Sequence, residues 1–298
     1  AWGFRNDPKV EETWSLVLIG DSFGVGSGTT QNETMAAVLR QKAHIPTYNL
    51  SQVGSINQHL LNLQLEFNRL SLRENAVVAL LAFGGNDLRE RHLDVMSADR
   101  LTPNSAFGTF RQKWQSYKRR TVFRKLFHPP PPQTGGEQIR AHPSVTFKTN
   151  CSQRVLFHNP YIEAHAMRSE DLKREKNYPL FQSSIEHLAA FCAEKKLRLC
   201  VFNMPTKAEV YGWMLSPEKT AHEPSGFSEV LAEECHRQQI AYVDLGPELF
   251  QQAKDLHASD CSALLWWRDD THINPRGHAA VAGLMAKHVK DFLPEPAP

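Results

Sequence analysis

Apolar and polar positions alternate in a regular pattern along much of this chain. Trp14–Ile19 (WSLVLI) is a short apolar run that stops at Gly20. Thr47–Ser51 is a second strand candidate, and Val77–Phe83 (VVALLAF) is apolar on both faces, as a central parallel strand must be. Arg198–Asn203 and Ala241–Leu245 repeat the strand signal later in the chain. Between these runs the period changes to that of a helix. Glu33–Lys42 is built of good helix formers with Asn32 as a candidate N-cap, and Ile56–Leu70 brings Leu60, Leu63, Phe67 and Leu70 to one face. Phe181–Lys195, Phe227–Gln239 and Pro275–Phe292 are the later helices. Strands alternating with helices predict an α/β fold with a doubly wound sheet of five parallel strands.

The alternation fails between about Arg89 and Pro179. This stretch holds Pro129–Pro132, Gly135-Gly136 and a basic-aromatic segment over Phe110–Phe127. It is too long for a plain loop, so the expectation is one domain over residues 1–298 with an insertion at about 90–179. Lys118, Arg119, Arg120, Arg124 and Lys125 crowd together there with Trp114, Tyr117, Phe123 and Phe127 between them. Two readings stand: a solvated helical face, or a lid or substrate rim that contacts an anionic surface.

Composition changes this picture little. The chain has 298 residues, 41% of them hydrophobic and 22% charged, with a net charge of +2. That is the profile of a folded domain, and it calls for no nucleic-acid partner. No apolar run approaches the roughly 18–20 residues of a membrane-spanning helix. The first residues are Ala1-Trp2-Gly3 without an initiator Met, so a processed or truncated form is the expectation, with a removed signal or anchor as one reading of it. The five cysteines, Cys151, Cys192, Cys200, Cys235 and Cys261, form no metal-ligand spacing, and an odd count leaves at least one thiol unpaired in a monomer. Cys192 and Cys200 read as small core residues.

Candidate chemistry lies in four blocks, the first three at strand ends. Gly20-Asp21-Ser22-Phe23 follows the first strand, where an open α/β sheet presents side chains to its ligand crevice. Gly54, in Ser51-Gln52-Val53-Gly54, offers a backbone N–H at the end of the second strand. Asn86, in Gly84-Gly85-Asn86-Asp87, offers an amide at the end of the third. Near the C-terminus stands Asp269-Asp270-Thr271-His272. The Asp-x-x-His spacing makes Asp269 the expected partner that orients His272, with Asp270 as its competitor. Each block alone is a common turn.

Together the blocks resemble the SGNH (GDSL-like) hydrolase superfamily, whose name spells the Ser, Gly, Asn and His of four blocks in this order. The match is Ser22, Gly54, Asn86 and His272, and it covers about residues 14–90 and 180–292. Gly3-Phe4-Arg5-Asn6, and Pro205-Thr206-Lys207 with Val210-Tyr211, look like a bacterial extracytoplasmic subgroup similar to the SGNH-like proteins of exopolysaccharide O-acetylation. Phe23 stands where that superfamily usually has Leu, and Val53 where it has Ala.

The resemblance implies a flavodoxin-like three-layer sandwich and a serine esterase without cofactor or metal. Ser22 is then the nucleophile, His272 the base and Asp269 its orienter. The oxyanion hole comes from the N–H groups of Ser22 and Gly54 and the amide of Asn86. The expected substrate is an acyl ester of a carbohydrate or lipid. An O-acyltransferase acting on a glycan hydroxyl uses the same residues, and a non-catalytic glycan-binding module is the reading from outside enzymology.

Overall fold

The computed structural model describes residues 4–7, 13–88, 144–147 and 153–293. Its centre is a five-stranded sheet in the order β2-β1-β3-β6-β7, formed by β1 (Trp14–Gly20), β2 (Thr47–Asn49), β3 (Leu72–Phe83), β6 (Arg198–Met204) and β7 (Ala241–Asp244). Every pairing in it is parallel. A separate antiparallel pair joins β4 (Ser144–Phe147) to β5 (Gln153–Leu156).

The period-two pattern of the central strands sorts side chains onto two faces. Leu16 and Leu18 of β1, Val77, Ala79 and Leu81 of β3, and Phe202 of β6 face one core. That core is covered by α2 (Met35–Lys42), α10 (Gly246–Ser259) and α11 (Pro275–Val289) through Met35, Leu39, Leu249, Val281 and Met285. Val17, Ile19, Val78, Leu80 and Val201 face the other core, which is closed by α3 (Ile56–Glu66), α6 (Tyr178–Glu194) and α9 (Gly226–Arg237). Helices on both faces of a parallel sheet make the three-layer sandwich expected from the sequence.

The remaining helical segments are short: α1 (Ser22–Val25), α4 (Asn159–Ala166), α5 (Ser169–Leu172), α7 (Lys207–Val210) and α8 (Gly212–Leu215). Among the described residues no helix is long and apolar enough to cross a membrane. The predicted insertion is only partly described. Its later residues join the sandwich: Val155 and Phe157 are buried in the first core and Leu172 in the second. Lys118, Arg119, Arg120, Arg124 and Lys125 lie outside the described residues. Cys192, Cys200 and Cys235 are buried free thiols, and Cys261 is disulfide-bonded.

Candidate active site

The strand order 2-1-3 places a topological switch between β1 and β3, and the carboxyl ends of those strands border the crevice it opens. Ser22 is the first residue of α1, immediately beyond β1. The Asp21 carboxylate caps this short helix by accepting the Phe23 N–H at 2.9 Å. Gly26 ends it in a left-handed conformation, φ 79°, and its N–H donates to the Ser22 and Phe23 carbonyls. Gly24 is needed for closeness: a Cβ there would stand 2.3 Å from Ser51 Oγ. Ser22 thus sits in a tight turn pressed against the end of β2.

The N-terminal segment straps that turn. Arg5 donates to the carbonyls of Val25, Gly26 and Thr29 and to the Gln31 side chain. Asn6 exchanges two bonds with the Asn49 backbone, and the Asn49 amide donates to Gly24 O at 2.9 Å.

Across the crevice, His272 Nε2 lies 2.9 Å from Ser22 Oγ. Its Nδ1 lies 2.6 Å from Asp270 Oδ1, and the same oxygen accepts the His272 N–H at 2.9 Å. This corrects the expectation that Asp269 orients the ring. Residues 267–272 form a turn closed by Trp267 N–H donating to His272 O at 3.0 Å, and the Asp270 side chain folds back over its own i+2 residue. Asp269 instead lines a surface cleft of about 550 Å³ with Trp267, Arg268 and Arg276. The bonds from His272, side chain before backbone, hold the Asp270 carboxyl well below the usual carboxylate range against partial burial. With its proton on Nδ1 facing Asp270, the imidazole presents Nε2 as an acceptor to the Ser22 hydroxyl. Phe23 packs on the same ring at 5.2 Å between centroids and on Phe83 at 4.4 Å.

Asn86 follows β3 in a turn that Asp87 secures, its carboxylate accepting the Phe83 N–H at 2.8 Å. The Asn86 side chain bonds the buried Asp21 carboxylate. The amide is the donor in that bond, since the carboxylate can only accept. Burial pushes the Asp21 carboxyl up to about 6; the Phe23 N–H, the charge of His272 and the Asn86 bond oppose it. Gly54 is buried just ahead of α3, at the β2 edge of the same crevice.

Two contributors lie outside the motif blocks. Arg5 and Lys207 belong to segments quoted for the subgroup resemblance, and the run of donors each supplies is invisible in sequence. Phe23 lies within the first block, and its ring backs that of His272.

No protein-family model and no curated protein matches the chain. Solved structures to which it is similar include TesA, 12% identical over 94% of this chain and 99% of that one, with a TM-score of 0.47. They also include the psychrotrophic esterase EstA from a Pseudoalteromonas species, at 11% identity, 95% and 98% coverage, and a TM-score of 0.44. A GDSL-like lipase from Bacteroides thetaiotaomicron aligns at 11% identity over 95% of this chain and 89% of its own, with a TM-score of 0.41.

Proposed function

We propose that this protein is a serine esterase that cleaves an acyl ester of a carbohydrate or lipid through an acyl-Ser22 intermediate. The observation that carries the proposal is the relay Asp270–His272–Ser22, with its steps of 2.6 and 2.9 Å. Ser22 Oγ attacks the ester carbonyl carbon while its proton passes to His272 Nε2. Asp270 stabilises the imidazolium that forms. The carbonyl oxygen, now negative, is met by the N–H groups of Ser22 and Gly54 and the side-chain amide of Asn86. Collapse expels the alcohol, which takes the proton from Nε2. Water then attacks the acyl carbon, loses its proton to Nε2, and the acid departs as Ser22 recovers its hydrogen.

The disulfide at Cys261 supports an extracytoplasmic location, since such bonds persist in oxidising compartments. Turnover of p-nitrophenyl acetate and of longer acyl esters tests the chemistry. Ser22→Ala should lower kcat by up to about 10⁶-fold. Equal rates for the two proteins would remove Ser22 from the reaction.

A further inference from the structure

The turn that carries Asp270 has a buried partner that the mechanism above does not use. Thr206 and Lys207 directly follow β6, with Thr206 Oγ1 capping α7 by accepting the Glu209 N–H at 3.1 Å. This fixes Lys207 at the carboxyl end of the sheet. Its side chain is buried, and Nζ donates to the carbonyls of Trp267 at 2.7 Å, Arg268 at 3.0 Å and Asp270 at 3.1 Å. An ammonium has three donors, and here each one has an acceptor.

The rest of the pocket is built around that amine. Phe157, just past β5, sets its ring 5.6 Å from Nζ, while the Leu156 N–H donates to Arg268 O at 2.9 Å. Burial pulls the Lys207 amine down to about 7, against the negative charges of Asp270 and Asp269. A buried lysine is costly, and an uncharged side chain would fill the space at less cost. What the lysine supplies is convergence: three carbonyls of one turn are drawn to a single point. One of them belongs to the residue whose carboxylate meets His272.

We propose that Lys207 is a positioning residue for the acid–base pair, gripping the 267–270 turn so that Asp270 meets His272 Nδ1 in the orientation that aims Nε2 at Ser22. The inference rests on the serine-esterase reading for its rate measurements, but not for its spectroscopic one. Lys207 touches no reacting atom and acts only through Asp270.

The test is a double-mutant cycle of Lys207→Met and Asp270→Asn, read by ester kinetics and by the low-field proton resonance of the His272–Asp270 bond, assigned by its loss in Asp270→Asn. Lys207→Met should lower kcat about 10–100-fold with KM within about twofold, because a misplacement near 1 Å costs up to about 10²-fold. It should also move or broaden the resonance. In the Asp270→Asn background the same change should cost less than about twofold, since its route of action is already cut. An unmoved resonance, or the same fold loss in both backgrounds, would overturn the proposal by making Lys207 a general structural residue. If Lys207→Met does not fold, Phe157→Leu, which removes the ring beside the amine and keeps the charge, takes its place in the cycle with the same two criteria. A wild-type protein without Ser22-dependent turnover, but with a resonance that Lys207→Met displaces, would sink the esterase reading and leave the positioning role standing.

Discussion

Asp270 and Asp269 are neighbours with the same functional group, and the backbone alone decides between them. One folds over its own turn to reach both the N–H and the ring of His272; the other faces outward into a cleft. A spacing rule counts residues along the chain and cannot see which way a turn faces, so the competitor named at two residues' separation takes the place expected of the one at three. The consequence is measurable. Asp270→Asn should lower kcat/KM by about 10²–10⁴-fold, through loss of the tautomer and of imidazolium stabilisation, whereas Asp269→Asn should leave it within about twofold. Steady-state kinetics of the two variants on p-nitrophenyl acetate decide the assignment; a reversed ranking would restore Asp269. Ser22 and His272 were legible from sequence because four blocks, each common alone, come together in one order. Phe23 stands out in sequence only as a departure from the usual Leu, and its tilted packing against the imidazole gives that departure a role.

At the scale of elements, the strands were the most legible part, because a buried parallel strand is apolar on both faces. All five strands of the central sheet were located, whereas the β4–β5 pair was not, and β3 begins at Leu72, earlier than its apolar run, since its first residues pair with β1 at the sheet rim. The helix expected from Asn32 instead starts with Thr34 as its cap, after a 3₁₀ turn over Gln31–Glu33. The helix α10 went unread: its apolar residues Leu249, Phe250 and Ala253 are sparse among polar ones, and only packing gives them a face. Residues 4–7 form no regular element, and periodicity therefore says nothing of them, yet Arg5 satisfies three carbonyls of the nucleophile turn. Charge-assisted bonds of this kind are worth about 1.5–3 kcal/mol each in the better cases. Arg5→Met should therefore cost about 2 kcal/mol, lowering Tm by about 3 °C, and should reduce kcat about tenfold as the Ser22 turn loosens. Calorimetry with kinetics on the same preparation checks both; an unchanged Tm would mean that the strap adds no stability.

For the molecule as a whole, several buried titratable groups set the response to acid. Burial pulls His59 down to about 3. Burial, with Arg5 and His272 adding to it against Glu33, pulls His278 down to about 4. Among the described residues neither imidazole has a hydrogen-bond partner. As pH falls below the ordinary imidazole range, the unfolded chain takes up these protons and the fold does not, so stability is full above about pH 7 and declines toward pH 3–4. Asp270, held low, adds to the decline at still lower pH. Asp21, raised to about 6, works the other way, because the fold binds its proton first. Two depressed histidines outweigh one raised carboxyl. The urea midpoint should therefore fall between pH 7 and pH 4.5, and His59→Leu should both raise the midpoint at pH 7 and flatten the curve. A midpoint independent of pH would show that these imidazoles are hydrated in solution.

The two atoms that must meet for chemistry are separated by 250 positions along the chain, one beside the first strand of the sheet and one ahead of the last helix. At about 5–20 residues per second, the ribosome makes the second some 12–50 s after the first. Through that interval the growing polypeptide carries its serine but no base to arm it. On the serine-esterase proposal, a nascent chain that has passed Ser22 but not yet reached His272 cannot turn over an ester.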